Sequence, residues 1–331
     1  MTVRCYRSVR PLVRDAEVFS KVGHPFQNVF VLAGVTNIVN RIWGMIKGFG
    51  RIRFYVAYQD ETPVLVVPLY LKAGVGRVIG SGRERMDYVD FLYNAKLKER
   101  WKEALEVVMG RLKHDGIAEV VADFVPADSP LFSLKDGIEK TGETLNASIS
   151  LQEFPSHADY FAHLGKSPRQ NVRTAYNRLR RDGHMYRLVL GDSINNRELS
   201  DTCQKLYLNR QSVRYGWGGV IHYIGAYFAS YFRLSLCDIK VFSALLTIDN
   251  EPAAMLQGYE NSNAKSIEVP ELAINEKFSF YSPGMILVNE VCRYLIEEKH
   301  YNALDLARGT EKYKKDMGGT IYKTYSILLK L

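Results

Sequence analysis

The sequence predicts an α/β protein of two domains with a similar plan, each a mixed sheet flanked by helices, and three observations lead there. A chain of 331 residues with an apolar fraction of 47% is long enough and apolar enough for two ordinary cores. A β-hairpin pattern occurs once in each half, at 51–71 and at 239–260. In the second half, a strand, a helix of about four turns and another strand follow one another, a crossover unit that requires parallel pairing. The boundary is expected in a turn-rich stretch, giving domains over 1–145 and 146–331.

In the first half "RIRFYVAY" and "TPVLVVPLYL" are strands joined by a polar turn at Gln59, Asp60 and Glu61. "MDYVDFLY" reads as a further short strand. "KERWKEALEVVMGRLKHDG" places Trp101, Leu105, Val108 and Leu112 at helical spacing and closes on Gly116. "AEVVADFVP" returns to strand, and "PADSPLFSLKDGIEKTGETLNA", rich in turn formers, reads as the connection onward. The second half opens with a helix at 168–182. The strand "MYRLVLG" follows, then a helical stretch around "ELSDTCQKLYLNRQSVR" and an aromatic-rich helix, "IGAYFASYFRLS". The second hairpin turns at Asp249 and Asn250. "KSIEVPELAI", a helix starting at Ser282-Pro283-Gly284, the strand "ALDLA" and a last strand in "YKTYSILLKL" complete the chain.

The net charge of +8 is shared evenly, with 21 Lys and Arg against 17 Asp and Glu up to Leu145 and 23 against 19 beyond it. There is no basic tail, and the balance suits an anionic ligand such as a nucleotide, a polyphosphate or RNA. Cys5, Cys203, Cys237 and Cys292 are scattered without metal-ligand spacing, which points to a reducing compartment and no metal. The N-terminus has charges throughout and no apolar run of a signal peptide. The longest apolar stretch, "VLVVPLYL", is far below the roughly 20 residues of a membrane helix. A cytoplasmic location is expected.

Ser282 is a good N-cap and Pro283 suits the first helical position, so this start has a purely mechanical reading. It also has a chemical one. Gly284 lets a ligand approach the backbone, and the N–H groups of Gly284, Met285 and Ile286 would hold a phosphate. Arg169, Arg173 and Arg180 fall on one helix face, with Val172, Tyr176 and Leu179 on the apolar one; Arg178 and Arg181 are expected in solvent. Seven cations and one anion, Asp182, lie between Lys166 and Arg187, an excess that favours a phosphate-bearing ligand. The Gly-rich "NRQSVRYGWGGVIHYIG" mixes Arg210, Tyr215, Trp217 and His222 in the manner of a mobile site wall, and His222, an imidazole, is a candidate base in place of Glu311. Asp87, Tyr88 and Asp90 are candidates for an acceptor cleft or for a strand edge.

"FSFYSPGMIL", then "LDLARGTEKYKKDMGG", resembles the C-terminal domain of the FemAB-like and CelD-type branch of the GNAT acyltransferase superfamily, through Ser282, Pro283 and Gly284, then Asp305, then Gly309, Glu311, Tyr313 and Lys314. The Arg-rich helix and, in the first half, "PVLVVPLYL" with Asp87, Tyr88 and Asp90 extend the resemblance over nearly the whole chain. It implies two tandem GNAT-like domains, the first degenerate and the second catalytic. The donor's pyrophosphate would lie at Ser282, Pro283, Gly284, Met285 and Ile286. Glu311 would be the base, Tyr313 the acid at the leaving sulfur, and Lys314 the charge for an anionic substrate or oxyanion. Arg169, Arg173, Arg180, Trp217, His222 and Asp87 would bind substrate. The implied activity is transfer of an acyl group from acyl-CoA, acetyl-CoA or longer, to an amine on an amino sugar or other envelope precursor. Two alternatives stay open: an aminoacyl-tRNA donor, as in FemAB relatives, and an inactive scaffold that binds an anionic polymer.

Overall fold

The computed structural model describes residues 1–13, 19, 50–80, 87–134, 137–192, 196–213, 240–262 and 264–331. They form two compact units.

The first unit draws on Met1–Thr144 and Lys323–Leu331. Its strands are β1 (Thr2–Tyr6), β2 (Arg51–Gln59), β3 (Thr62–Lys72), β4 (Val75–Val78), β5 (Leu92–Tyr93) and β6 (Glu119–Pro126), with helix α1 (Trp101–His114). β2 and β3 form the expected hairpin, Arg51 opposite Leu71 through to Gln59 opposite Thr62. Asp60 supplies the left-handed φ of 54° in its turn. β3 is a nearly continuous apolar run because it is buried along almost all its length, and α1 lays Trp101, Ala104, Leu105, Val108 and Leu112 into this core.

β4 runs parallel to β6 for three residue pairs, from Val75 with Glu119 to Arg77 with Val121, and β6 then bends at Phe124, φ 62°. The chain itself fills the space beyond. The Val89 N–H donates to the Phe124 carbonyl (3.2 Å), and β5 takes the edge of β3 at Leu65 and Val66. Residues 87–93 are therefore an irregular plug with a two-residue strand, not the strand their composition suggests. Asp87, expected to bind substrate, is buried inside this unit at 3% exposure. The Asp90 carboxyl accepts from the Phe91 N–H (2.7 Å) and the Tyr93 hydroxyl (3.1 Å), with the Ser129 hydroxyl as a further partner.

The second unit draws on Leu145–Phe228 and Ile239–Tyr322. Its sheet runs in the order β7 (Ile138–Ser150), β12 (Ala303–Arg308), β11 (Ser266–Ile274), β10 (Glu251–Asn261), β9 (Val241–Ile248), β8 (Tyr186–Asp192). Among the described residues of this sheet, β11 and β12 pair in parallel and the other pairs are antiparallel. Asp249 and Asn250, φ 50° and 66°, make the predicted two-residue turn. Its helices are α2 (His157–His163), α3 (Lys166–Arg181), α4 (197–213), α5 (Pro283–Tyr294) and α6 (Lys312–Asp316). Alternate sheet residues face opposite ways. Leu246, Leu256 and Leu304 meet Val172, Leu179, Ile286 and Val291 of α3 and α5, while Leu245, Met255 and Ala273 meet Leu199, Cys203 and Leu206 of α4.

One expectation fails here. The turn-rich connection is not a loop, because its residues 138–147 belong to β7, whose first part lies in the first unit and whose last part lies in the second. It is half exposed, and an exposed strand built of Thr, Glu, Asn and Ser carries little apolar alternation to read. The last strand ends in the first unit. β13 (Thr320–Lys330) pairs with β6, from Thr324 opposite Pro126 to Lys330 opposite Glu119, in the first unit.

Burial pushes the Asp90 carboxyl up to about 7. The native state therefore holds a proton that the unfolded chain loses near pH 4, so this group's contribution to stability falls as pH rises from about 4 through about 7. Asp90→Asn should flatten the melting temperature against pH over that window. An unchanged slope would show that Asp90 stays ionised.

Candidate active site

β11 and β12 stay together for three pairs, Ser266 with Ala303, Ile267 with Leu304 and Glu268 with Asp305. Past that point β11 keeps its pairing with β10 as far as Ile274 opposite Ala254. β12 instead bends toward β7. Ala307 takes φ 52°, and the register against β7 shifts between Asp305 and Arg308. The strands part, and residues 269–274 of β11 face the gap without a β12 partner.

A buried lysine holds the bend. Lys314, 3% exposed, donates to the Arg308 carbonyl (2.6 Å) and the Leu306 carbonyl (2.8 Å), with a longer contact to Ala307 (3.4 Å) and the Glu311 carboxylate at 3.2 Å. Asp305 works from the other side, accepting from the Ala307 N–H and the Tyr322 hydroxyl, both at 2.7 Å. Gly309 has φ 106°, and a side chain there would run into the Glu311 carboxylate. The Gly-x-Glu-x-Tyr-Lys motif is thus first an architectural device. Lys314 is no open charge for a substrate or an oxyanion, because its ammonium already serves the end of β12. Burial works to raise the Glu311 carboxyl, but its own backbone N–H and the Lys314 charge outweigh that and hold it below the usual range, so it is a weaker base than expected.

Tyr313 packs against the core beside them, and burial, reinforced by the Glu311 charge and opposed by Arg210, raises its hydroxyl above the usual range. It stays a neutral phenol, able to give a proton. From α4, Arg210 donates to the Leu272 carbonyl on the unpaired edge of β11. Glu271 of the same strand accepts from Gln204 (3.2 Å), which also donates to Gln257, and Gln257 donates to Ser243 (2.9 Å). Burial first, and the Glu271 charge second, push the nearby Cys203 thiol up to about 12. Glu271, Gln204 and Gln257 were not singled out from the sequence, and Arg210 was noted only within its Gly-rich segment. The signal was there: Leu199, Cys203, Leu206 and Arg210 share one helical stripe, which puts a cation on the apolar face.

At the start of α5, Pro283 occupies the first turn as expected, but Ser282 has φ 50° and no side-chain capping bond. The N–H groups of Met285 (3.0 Å) and Ile286 (3.3 Å) both donate to the Ser282 carbonyl. Of the three N–H groups expected to hold an anion, only that of Gly284 is left without a backbone acceptor among the described residues. A methyl on Gly284 would sit 3.1 Å from Ile274 Cγ2, so this glycine brings the helix close to the end of β11. Arg169 donates to the Ala162 carbonyl, Arg173 lies 5.6 Å from the Phe161 ring, and Arg180 meets Asn177 at 3.5 Å. None of these contacts is at the α5 start. Arg178, expected in solvent, is the arginine found there, donating to the Phe280 carbonyl (2.7 Å). Trp217 and His222 lie outside the described residues. Among the described residues no His, Cys, Asp or Glu cluster is placed to hold a metal, and no helix is long and apolar enough to cross a membrane.

Residues 166–315 match the family described as Acetyltransferase (GNAT) domain, a match that spans the greater part of the second unit. Solved structures share the fold of nearly the whole chain at low identity. One is the DUF2156 C-terminal domain of a protein described as a lysylphosphatidylglycerol synthetase from Agrobacterium fabrum, with 10% identity, a TM-score of 0.61 and coverage of 98% of this chain and 93% of that one. Another is a tandem GNAT protein from the clavulanic acid biosynthesis pathway, with 10% identity, a TM-score of 0.52 and 99% and 98% coverage. A third is FemX, with 13% identity, a TM-score of 0.50 and 100% and 98% coverage. No curated protein is significantly similar in sequence.

Lys314→Met should lower stability by about 2–3 kcal/mol, since it leaves buried carbonyls unsatisfied at about 1–3 kcal/mol each. Glu311→Gln, at a half-exposed carboxylate, should cost under about 1 kcal/mol. Denaturant titration of both variants checks this, and equal losses would contradict the role given to Lys314.

Proposed function

We propose that the second unit is an N-acyltransferase that moves an acyl group from acyl-CoA, acetyl-CoA or longer, to an amine. The parting of β11 from β12 carries this reading. The pantetheine arm of CoA is an extended chain with two amides, and it suits the free edge of β11 as an added strand. Its thioester then lies where the strands diverge, and its diphosphate lies toward the Gly284 N–H. Arg210 releases the Leu272 carbonyl as the arm arrives.

Glu271 takes the proton from the acceptor's ammonium, and the free amine attacks the thioester carbonyl. The C–S bond breaks as the amide forms; Tyr313 protonates the departing sulfur and takes up the proton that the attacking nitrogen loses. Alignment of thioester and amine supplies most of the acceleration. The polar floor of Glu271, Gln204 and Gln257 suits a hydroxylated acceptor such as an amino sugar or glycan precursor. Such a reaction belongs in the cytoplasm, and the free thiols of Cys5, Cys203 and Cys292 agree with that.

An aminoacyl-tRNA donor is the second reading, supported by the likeness of fold to FemX and to the lysylphosphatidylglycerol synthetase domain. Thermal shift with CoA, acetyl-CoA, longer acyl-CoAs and a tRNA pool separates the two. A ligand at a hundred times its dissociation constant should stabilise the protein by about 2.7 kcal/mol. Tyr313→Phe should lower kcat about 100-fold while donor affinity stays within a factor of about two. A wild-type rate in that variant would overturn the role of Tyr313.

A further inference from the structure

The turn Glu276–Tyr281 and the end of α3 build a surface that the transfer chemistry above does not use. Phe280 is 51% exposed, while its neighbour Phe278 lies in the core. The ring is braced. The Arg178 guanidinium stands 4.5 Å from its centroid while donating to the same residue's carbonyl, and Arg181 stands at 5.9 Å, held by Asp182. Tyr281 meets Phe280 edge-on at 5.3 Å. Its hydroxyl donates to Asp182 (3.1 Å) and lies 2.9 Å from His184 Nε2, whose Nδ1 meets Asp249 (2.6 Å). A large apolar side chain is thus displayed to water by contacts that keep it from folding inward.

The charges around it are mostly matched. Arg181 pairs with Asp182, His184 meets Asp249, and Lys277 pairs with Glu251. Arg178 has no carboxylate partner among the described residues. Its known bonds are one carbonyl and one ring face, which leave guanidinium N–H groups for an anion. An open aromatic face beside an unmatched guanidinium is the arrangement that stacks a nucleobase and binds its phosphate. The platform is also near the donor site, since Phe280 precedes the first residue of α5 by three positions.

We propose that Phe280 and Arg178 form a subsite for an adenosine phosphate, with the purine stacked on the exposed face of Phe280 and Arg178 donating to the phosphate. The proposal rests on the transferase reading and names what holds the nucleotide end of the donor. The 3′-phosphoadenosine of CoA and the terminal adenosine of a tRNA share this chemistry.

Calorimetric titration of the full chain tests it, with four probes: CoA, adenosine 3′,5′-bisphosphate, the trinucleotide CCA, and S-acetyl-pantetheine, which has no nucleotide. Phe280→Leu and Arg178→Gln should each weaken the nucleotide probes that bind the wild type by about tenfold or more, with S-acetyl-pantetheine affinity and the melting temperature unchanged. Weakening with CoA and the bisphosphate supports the subsite with a CoA donor, and weakening with CCA alone supports it with a tRNA end. If both variants bind those probes as tightly as the wild type, the platform is not a subsite and the transferase reading stands. If the wild type binds S-acetyl-pantetheine and no nucleotide, the subsite also falls alone. If it binds none of the four, both readings fall.

Discussion

The ammonium of Lys314 against the carbonyls at the end of β12 is the interaction on which the candidate site depends. A strand that leaves its ladder strands its carbonyls, and buried carbonyls without donors are costly. A buried ammonium without acceptors is costlier still. Each solves the other's problem, and the result is a strand that bends away while its neighbour keeps its pairing with β10 as far as Ile274, through a register shift opposite Gln257 and Tyr259. The free edge of β11 follows from that bend, and so does the place of Tyr313, one residue before the lysine.

The first unit shows the same plan with the opposite outcome. There a hairpin, a parallel pair of three residues and a left-handed residue in the second strand recur, with Phe124 where the other unit has Ala307. Among the described residues no lysine holds the strand end there; residues 87–93 pack against it and leave Asp90 buried. In the first unit the corresponding space is thus taken by a plug made of its own chain.

The hairpins, α1 and the Ser-Pro-Gly helix start were legible because each rests on local turn chemistry or on periodicity. β7 was not, since an exposed polar strand lacks apolar alternation, and the return of β13 to the first unit depends on long-range pairing. Within the site, the motif residues were found, but the hold of Lys314 on the end of β12 was not. Lys314 binds backbone carbonyls, which have no letter in a sequence, and Gly284 answers to Ile274, a partner set by the packing of α5 on β11. The arginines of α3 show the same limit. Helical spacing grouped Arg169, Arg173 and Arg180 correctly as a face, but only the packing of α3 on the turn before α5 shows that Arg178 is the one beside the helix start.

Hydrogen exchange along β11, with and without a saturating donor, tests the central claim most directly. The Leu272 amide and its neighbours on the gap-facing edge should exchange more slowly when acetyl-CoA or the true donor binds, together with the amide of Gly284, while β2 and β3 keep their rates. Donor binding that leaves β11 unprotected, or that protects the first unit instead, would contradict the assignment of the opening between β11 and β12 as the acyl-donor site.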